Sequence, residues 1–182
     1  MGGGSVRIRD GGREGLVAVV DFDDFYRAEF APLVSLAGMV LGQRAGAEDV
    51  AQEGMVDAYR RWDRLSTYDS PRAWVRKVVV QRAVKVARKR SNERVAQLRS
   101  VPPSAEGTPI EPFDPELLTH LRELPPQQRA ALALHYLDDA SVLDIAQTLG
   151  VSEGTVKTHL HKGRQRLAAS LGPSAQGEEE VG

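Results

Sequence analysis

The sequence predicts an all-α protein in which two small helical domains are joined by a flexible, proline-rich acidic linker. Apolar residues recur every three or four positions along most of the chain, which is the period of an amphipathic helix, and no segment alternates with the period of a strand. Five prolines lie between residues 100 and 115 together with several acids, a composition that does not pack into a core. The 182 residues, 41% of them hydrophobic, leave room for a modest core on each side of this linker.

The same composition divides the chain into segments. We expect a disordered extension over 1–20, a first domain over 21–99, the linker over 100–115, a second domain over 116–171 and a disordered acidic tail over 172–182. The extension is rich in glycine and charge and lacks the apolar stretch of a signal peptide. No apolar run approaches the ~20 residues that span a bilayer. We therefore expect a cytoplasmic protein without membrane insertion.

The residue types argue against an enzyme and against a metal centre. The chain has no cysteine, which excludes disulfides, thiolate zinc sites and cysteine catalysis. Its four histidines do not group with carboxylates, and His159 and His161 point to different faces of one predicted helix. No set of acids and histidines has a catalytic arrangement. We predict no metal, no cofactor and no covalent chemistry.

Charge is strongly segregated along the chain, although the net charge is only -1. Residues 21–59 carry eight acids against two bases, whereas residues 60–99 carry thirteen bases against three acids. The balance returns to -4 over residues 100–124 and rises to +3 over residues 152–170. Two basic blocks separated by an acidic spacer predict two contacts with nucleic acid. The alternative for each block is a solvated helix face.

Two helices are predicted in the first part of the first domain. The first begins after Asp21, continues through apolar positions where Pro32 permits a bend, and stops around Gly42. The second covers residues 47–62 and carries an acidic face at helical spacing. Its predicted core side consists of Val50, Met55, Ala58, Tyr59 and Trp62.

The third predicted helix carries most of the basic charge of this domain. Ser70 is a suitable N-cap and Pro71 suits the first helical position. Cations along this helix accompany three aromatic residues that flank the loop 63–70, namely Trp62, Tyr68 and Trp74. Cations that track phosphate beside aromatics that stack on bases are typical of a single-strand binding surface. The alternative is that the tryptophans anchor the core and the arginines are solvated.

The second domain contains a predicted helix-turn-helix. Helices are expected over 116–123, 126–136, 141–149 and 152–169. Gly150 lies at the turn between the last two helices, where a positive φ is easiest for glycine, and Ser152 is a good N-cap. The last helix exposes donors that suit a major groove: Lys157, Thr158, His161, Lys162 and Arg164. The alternative is an ordinary helical hairpin, in which the same spacing of small residues also occurs.

Residues 21–171 also resemble a known protein family. The segments that carry the resemblance are AEDVAQEGMVDAYRRW from Ala47, SPRAWVRKVV from Ser70, LPPQQRAALALHYLDD from Leu124 and DIAQTLGVSEGTVKTHLHKGRQRL from Asp144. Together they resemble the extracytoplasmic-function (ECF) sigma factors of the sigma-70 family. The last segment by itself would also fit LuxR-like regulators, but its combination with the first is highly specific.

The resemblance implies an alternative sigma factor that directs RNA polymerase to promoters. The first domain would recognise and open the -10 element, and the second would read the -35 element. The acidic linker would thread polymerase channels otherwise used by nucleic acid. The implied partners are core RNA polymerase, promoter DNA and, as one candidate regulator, a separate anti-sigma factor. The free protein is expected to be a monomer.

The resemblance also implies roles for particular residues. Docking on the clamp of the largest polymerase subunit would fall to Asp49, Gln52, Glu53 and Asp57. The -10 element would contact Trp62, Tyr68, Arg72, Trp74, Arg76, Lys77, Gln81, Lys85 and Arg88, and the loop 63–70 would receive an extruded base. The -35 element would contact Ser152, Thr155, Lys157, Thr158, His161, Lys162 and Arg164, with Lys157 directed at guanine.

Two other classes of protein remain as alternatives. A ligand-sensing helix-turn-helix repressor would bind duplex DNA unaided and would usually form a dimer, but it would not need the basic aromatic first domain. An RNA-binding protein would use the basic helix without promoter specificity. Dependence on RNA polymerase distinguishes both from a sigma factor.

Overall fold

The computed structural model of the chain describes residues 21–96 and 115–171, with side chains described to residue 93 in the first range. Both ranges consist of helices and the turns between them, with no strand in either, which confirms the predicted all-α fold class. The predicted extension over 1–20, the linker up to residue 114 and the tail from residue 172 lie outside these ranges. Within them, no helix is both long enough and apolar enough to cross a lipid bilayer.

The first domain is a bundle of three longer helices and one short one. Its helices are α1 (Phe22–Leu41), α2 (Ala47–Tyr59), α3 (Trp62–Leu65) and α4 (Pro71–Ala96). Helices α1, α2 and α4 pack on one another around Leu33, Met55 and Val79, which are almost fully buried. The sequence signals at the helix ends are confirmed, since α1 stops at Gly42 and the Ser70 hydroxyl accepts a hydrogen bond from the Ala73 backbone N–H at 3.2 Å.

The predicted core side of the second helix is wrong at Tyr59, which is 66% exposed. The helix ends at Tyr59, and Trp62 belongs to the separate helix α3. Arg60 and Arg61 form a turn between the two helices, so Trp62 does not continue the face of α2. The ring of Trp62 packs on Phe25 at 4.8 Å, and Tyr59 rests edge-on against Phe22 with most of its side chain in solvent.

The second domain is a four-helix unit that ends in a helix-turn-helix. Its helices are α5 (Pro115–Arg122), α6 (Pro126–Leu137), α7 (Val142–Leu149) and α8 (Glu153–Leu171). Gly150 adopts the left-handed conformation at φ 67°, which lets the chain turn sharply from α7 into α8. Ser152 caps α8 as predicted, accepting a hydrogen bond from the Thr155 backbone N–H at 3.2 Å. Ile145, Val156 and Leu160 close the core between the helices.

The two domains pack against each other, a contact that the sequence analysis did not predict. Helix α6 lies against α1 and α4, and α7 also contacts α4. Every residue from Leu36 to Leu41 of α1 is buried, as is every residue from Gln128 to Leu134 of α6. A helix that is buried all round has partners on more than one side. Helices α1 and α6 are therefore shared between each domain's own core and the interface between the domains.

Candidate nucleic-acid interfaces

A pocket of about 350 Å³ opens between α2, α3 and the start of α4. Its lining residues are Asp57, Arg61, Arg64, Leu65, Tyr68, Trp74 and Val78. The guanidinium of Arg61 lies 5.7 Å from the ring centroid of Trp74, a cation–π contact that holds the ring as one wall. Aromatic walls beside guanidinium groups can stack a planar base and pair with the phosphate that follows it.

Of the three aromatic residues predicted around the loop 63–70, two line this pocket and one does not. Tyr68 and Trp74 contribute to the lining, and Tyr68 is 41% exposed. Trp62 instead packs on Phe22 at 5.2 Å and on Phe25 at 4.8 Å, measured between ring centroids. The geometry of Trp62 is that of a core anchor, whereas Trp74 is placed to meet a ligand.

Four of the predicted -10 residues form an exposed stripe along α4. Lys77, Gln81, Lys85 and Arg88 follow one another at intervals of four and three, so they share one helix face. The amide of Gln81 is not free, because it donates a hydrogen bond to the Thr148 carbonyl of the second domain at 3.0 Å. The stripe offers cations at the spacing that can follow a nucleic-acid backbone.

The two remaining predicted cations of α4 are engaged with carboxylates. Arg72 lies 3.1 Å from Glu29 of α1, and Arg76 lies 3.6 Å from the same carboxylate. Arg76 also pairs with Asp138, which follows α6 in the second domain. Burial, with the nearby charge of Arg72, lowers the pKa of Arg76, and Glu29 opposes that shift. Arg76 is thus less available than the sequence suggested.

The predicted polymerase-docking residues share the outer side of α2 but differ in their availability. Asp49, Gln52 and Glu53 are exposed, and Asp57 is half-buried. Arg82 of α4 donates to Glu53 at 2.8 Å and also pairs with Asp57, so these two carboxylates hold α2 on α4. Only the part of the face around Asp49 and Gln52 is left clear of Arg82.

Sequence reasoning missed two apolar side chains on this face. Val56 is 38% exposed and Tyr59 is 66% exposed, one and two turns after Gln52. The tyrosine hydroxyl of Tyr26 donates to Gln52 at 3.2 Å, which continues the surface onto α1. The i, i+4, i+7 spacing of Gln52, Val56 and Tyr59 was a signal in the sequence, but Tyr59 was assigned to the core and Val56 to neither face.

Helix α8 presents the predicted -35 residues on its open side. Lys157, Thr158, His161, Lys162 and Arg164 are exposed, while Val156, Leu160 and Gly163 face the core. Ser152 and Thr155 are joined by a hydroxyl contact of 2.9 Å at the start of the helix. Several of these groups also bond within the helix, since the Thr158 hydroxyl donates to the Gly154 carbonyl at 3.0 Å and the Arg164 Nε donates to the Leu160 carbonyl at 3.2 Å. Lys157, His161 and Lys162 are the longer side chains best placed to reach a base edge.

His159 stands apart from this exposed face. Its ring is half-buried, and burial followed by the charge of Lys162 lowers the pKa of the imidazole. Over residues 21–96 and 115–171, no group of three or more histidines, aspartates and glutamates is arranged to hold a metal ion.

Comparison with known proteins matches both halves of this architecture. Residues 25–93 match the family "Sigma-70 region 2", and residues 115–167 match "Sigma-70, region 4". The chain is 29% identical over 154 residues to the RNA polymerase sigma-E factor of Streptomyces avermitilis, covering 84% of this chain and 86% of that protein. It is 30% identical over 151 residues to the ECF RNA polymerase sigma factor SigM of Mycobacterium tuberculosis, covering 83% of this chain and 77% of that protein.

A solved structure has the same fold. The sigma factor RpoE of Bartonella quintana, crystallised in complex with the anti-sigma factor NepR, aligns with a TM-score of 0.67 at 23% identity. The alignment covers 83% of this chain and 96% of that chain. The shared architecture therefore includes both helical domains.

Proposed function

We propose, from the premise that this chain belongs to the ECF group of the sigma-70 family, that its two domains divide promoter recognition between them. The chain is a sigma factor that directs promoter-specific transcription initiation. In our proposal the first domain recognises and opens the -10 element, and the second reads the -35 element. The observation that carries this division is the pairing, in one chain, of an aromatic pocket beside a basic helix with an exposed helix-turn-helix.

The partner we propose for the outer face of α2 is core RNA polymerase, at the clamp of its largest subunit. The open part of this face combines the carboxylate of Asp49 with Gln52, Val56 and Tyr59. A tyrosine and an aliphatic side chain beside a charged rim are the composition of a protein interface rather than of a nucleic-acid contact. Glu53 and Asp57 contribute negative potential, while their pairing with Arg82 fixes the angle between α2 and α4.

For the -10 element, we assign the pocket of Tyr68 and Trp74 to a base extruded from the non-template strand. Flipping a base costs a few kcal/mol, so a pocket formed in advance lowers the cost of trapping it. Arg61 and Arg64 at the pocket and the exposed stripe of α4 supply cations for the adjoining phosphates. In this assignment Trp62 does not contact DNA. It anchors α3 to α1 by packing its ring on Phe25.

For the -35 element, we assign Lys157, His161 and Lys162 to base edges in the major groove. Lys157 reaching guanine O6 and N7 would contribute about 1–3 kcal/mol of discrimination against other bases. Ser152, Thr155 and Arg164 lie toward the ends and sides of this face, where contacts with the DNA backbone position the helix. Thr158 lies beside Lys157 and completes the exposed surface.

We further infer that the protein works in the cytoplasm as a non-enzymatic regulator, without a cofactor, and that it is a monomer when free. Its relatives are named as RNA polymerase sigma factors. The solved neighbour is in complex with an anti-sigma factor. We propose that this chain is open to the same kind of control by a separate protein.

Dependence on RNA polymerase tests this function against the two alternatives. A tagged chain should retain core polymerase in a pull-down, and specific promoter fragments should be shifted in a gel only when both proteins are present. A repressor would shift specific duplex DNA unaided and retain no polymerase. An RNA-binding protein would bind RNA with equal affinity in the presence or absence of polymerase.

A further inference from the structure

An apolar patch lies on the surface where α1 begins. Phe22 lies 5.0 Å from Tyr59 and 5.2 Å from Trp62, measured between ring centroids. Phe22 and Trp62 are partly buried, and Tyr59 is 66% exposed. Val56, one turn before Tyr59 on α2, is 38% exposed and continues the apolar surface. These four side chains form what we call the entry patch, and a contiguous apolar patch of this kind marks a place where another segment or molecule binds.

The chain itself supplies an apolar segment at the edge of this patch. Residues 1–20 join the described part of the chain at Asp21, directly before Phe22. The last five of them, from Leu16 to Val20, read LVAVV and are the longest apolar run of that extension. A segment tethered one residue from its binding surface has a high effective concentration there. It therefore needs only weak contacts to occupy the entry patch.

The N-cap of α1 indicates how this segment approaches the patch. Asp21 has extended backbone angles, φ -65° and ψ 142°, and its carboxylate accepts a hydrogen bond from the Asp23 backbone N–H at 3.5 Å. An apolar residue before an N-cap often packs on the fourth residue of the helix, a contact known as the hydrophobic staple. Here these two positions are Val20 and Phe25, and the Phe25 ring lies 4.8 Å from Trp62. A staple between them would direct the preceding residues across the entry patch.

The length of the segment suits the size of the patch. Five extended residues span about 17 Å. The Tyr59 ring lies 5.0 Å from Phe22, and Val56 precedes Tyr59 by three residues on α2, or about 4.5 Å of helix. The far end of the entry patch is therefore within reach of Leu16.

An extended segment would present only one of its two sides to the patch. Successive side chains of an extended chain point to opposite sides. If Val20 packs on the helix, Leu16 and Ala18 share its side, whereas Val17 and Val19 point the other way. This alternation supplies a matched pair of neighbouring apolar residues for a test.

We propose that residues 16–20 form a strap that covers the entry patch in the free chain. The strap lies over Val56 and Tyr59, two of the side chains that we assign to core polymerase, so polymerase has to displace it in order to dock. This consequence rests on the proposed function of the outer face of α2. Asp49, two turns before Val56, stays outside the strap and remains open to the first encounter with polymerase. The extension expected to be disordered is shortened to residues 1–15.

A disulfide trap tests the position of the strap in the chain alone. The chain has no cysteine, so Leu16→Cys can be combined with Val56→Cys on the patch or with Arg27→Cys as the control. Arg27 is exposed on α1 and lies about 7.5 Å of helix beyond Phe22, a separation comparable with that of Val56. The rate of disulfide formation in a glutathione buffer is divided by the reactivity of the Val56→Cys or Arg27→Cys thiol toward a small thiol reagent, because thiols in different surroundings differ in reactivity.

We expect the pair with Val56→Cys to form its internal disulfide about tenfold faster than the control pair, since the strap holds one pair together and not the other. Equal rates would overturn the proposal, because a segment without a fixed position reaches both sites. A disulfide-linked dimer in place of the internal bond would also overturn it and would identify a second copy of the chain as the occupant.

Affinity for core polymerase tests whether the strap competes with docking. Leu16→Ser weakens the side of the strap that faces the patch, and Val17→Ser changes the neighbouring apolar residue on the other side. We expect Leu16→Ser to bind polymerase about fivefold more tightly than the unmodified chain, which corresponds to about 1 kcal/mol of lost apolar burial. Val17→Ser should bind like the unmodified chain. The oxidised Leu16→Cys/Val56→Cys variant should bind about tenfold more weakly than the same protein after reduction.

Two results of the binding assay would contradict competition by the strap. One is equal affinity of Leu16→Ser and Val17→Ser, and the other is equal affinity of the oxidised and reduced forms of the trapped variant. A failure of the proposed function is distinguishable from both, because the unmodified chain would then not bind polymerase at all. The disulfide rates are measured without polymerase and report on the strap in either case.

Discussion

Replacing each tryptophan of the first domain separates a ligand-contacting role from a structural one. Trp74 is half-buried, lines the pocket and carries Arg61 on its face, whereas Trp62 is wedged between Phe22 and Phe25. Trp74→Ala therefore removes a stacking surface and part of one buried side chain. Trp62→Ala removes the ring contacts with Phe22 and Phe25.

The expected magnitudes differ between the two variants. Truncating a fully buried tryptophan costs about 3–5 kcal/mol of folding free energy. Trp62 is partly buried but contacts two aromatic rings, so Trp62→Ala should lower the urea midpoint by a cost toward the lower end of that range. Loss of the half-buried ring in Trp74→Ala should cost about 1–2 kcal/mol. Base stacking on an aromatic side chain is worth about 1–3 kcal/mol, so Trp74→Ala should weaken single-strand binding by roughly 5-fold to 150-fold.

The assay uses the holoenzyme assembled from this chain and core polymerase. Its affinity for the non-template strand of a promoter that it transcribes is compared across the unmodified chain, Trp74→Ala and Trp74→Phe. Urea unfolding and circular dichroism of the free chains give the stability of each variant. Trp74→Phe should recover part of the lost affinity, because a smaller ring still stacks. Unchanged strand affinity for a folded Trp74→Ala would refute the assignment of the pocket.

Three further outcomes are expected. Asp49→Arg should weaken polymerase binding about tenfold in a titrated pull-down, because it reverses the charge of an exposed carboxylate on the proposed docking face, and unchanged binding would remove the docking assignment. Lys157→Ala should change the preferred bases of the -35 element more than the extent of promoter melting, and a promoter library without such a shift would count against its base contact. The pKa of His159, measured by NMR titration, should lie below its ordinary value of about 6.5, because burial and Lys162 disfavour the charged imidazole. The unfolded chain then binds the proton more readily than the folded chain does. The free energy of unfolding should therefore fall as the pH drops through about 6.5, and this dependence on pH should be weaker in His159→Gln.

The helices and their ends could be predicted because their causes are local. Gly42 and Gly150 supply the left-handed conformations that end α1 and α7, and Ser70 and Ser152 cap the helices that follow them. Each of these signals acts within four residues of its position, so a single sequence is enough to find them.

The interface between the domains could not be found in the same way. It joins Arg76 to Asp138 and Gln81 to Thr148, pairs separated by more than sixty positions in the chain. A signal was nevertheless present, since residues 33–41 and 130–134 are nearly all apolar and leave no polar stripe for solvent. Such stretches show that a helix has more than one partner, but they do not identify the partners.

The sequence analysis grouped the candidate residues by helix, while the pairing of their side chains came from the fold. The acidic face of α2 contributes two carboxylates to Arg82 of the same domain, and the predicted core tyrosine Tyr59 lies on the surface. Charge spacing along a helix indicates which residues share a face. It does not indicate which of those residues will form ion pairs with the neighbouring helix.

Run-off transcription on a genomic promoter library, with core polymerase in the presence and absence of this chain, tests the central claim most directly. The account predicts start sites that require the chain and share both a -10 and a -35 element, with Trp74→Ala impairing use of the first and Lys157→Ala altering selection of the second. If no chain-dependent starts appeared while the protein alone still shifted specific duplex DNA, the initiation role would be contradicted and a repressor would be the better description.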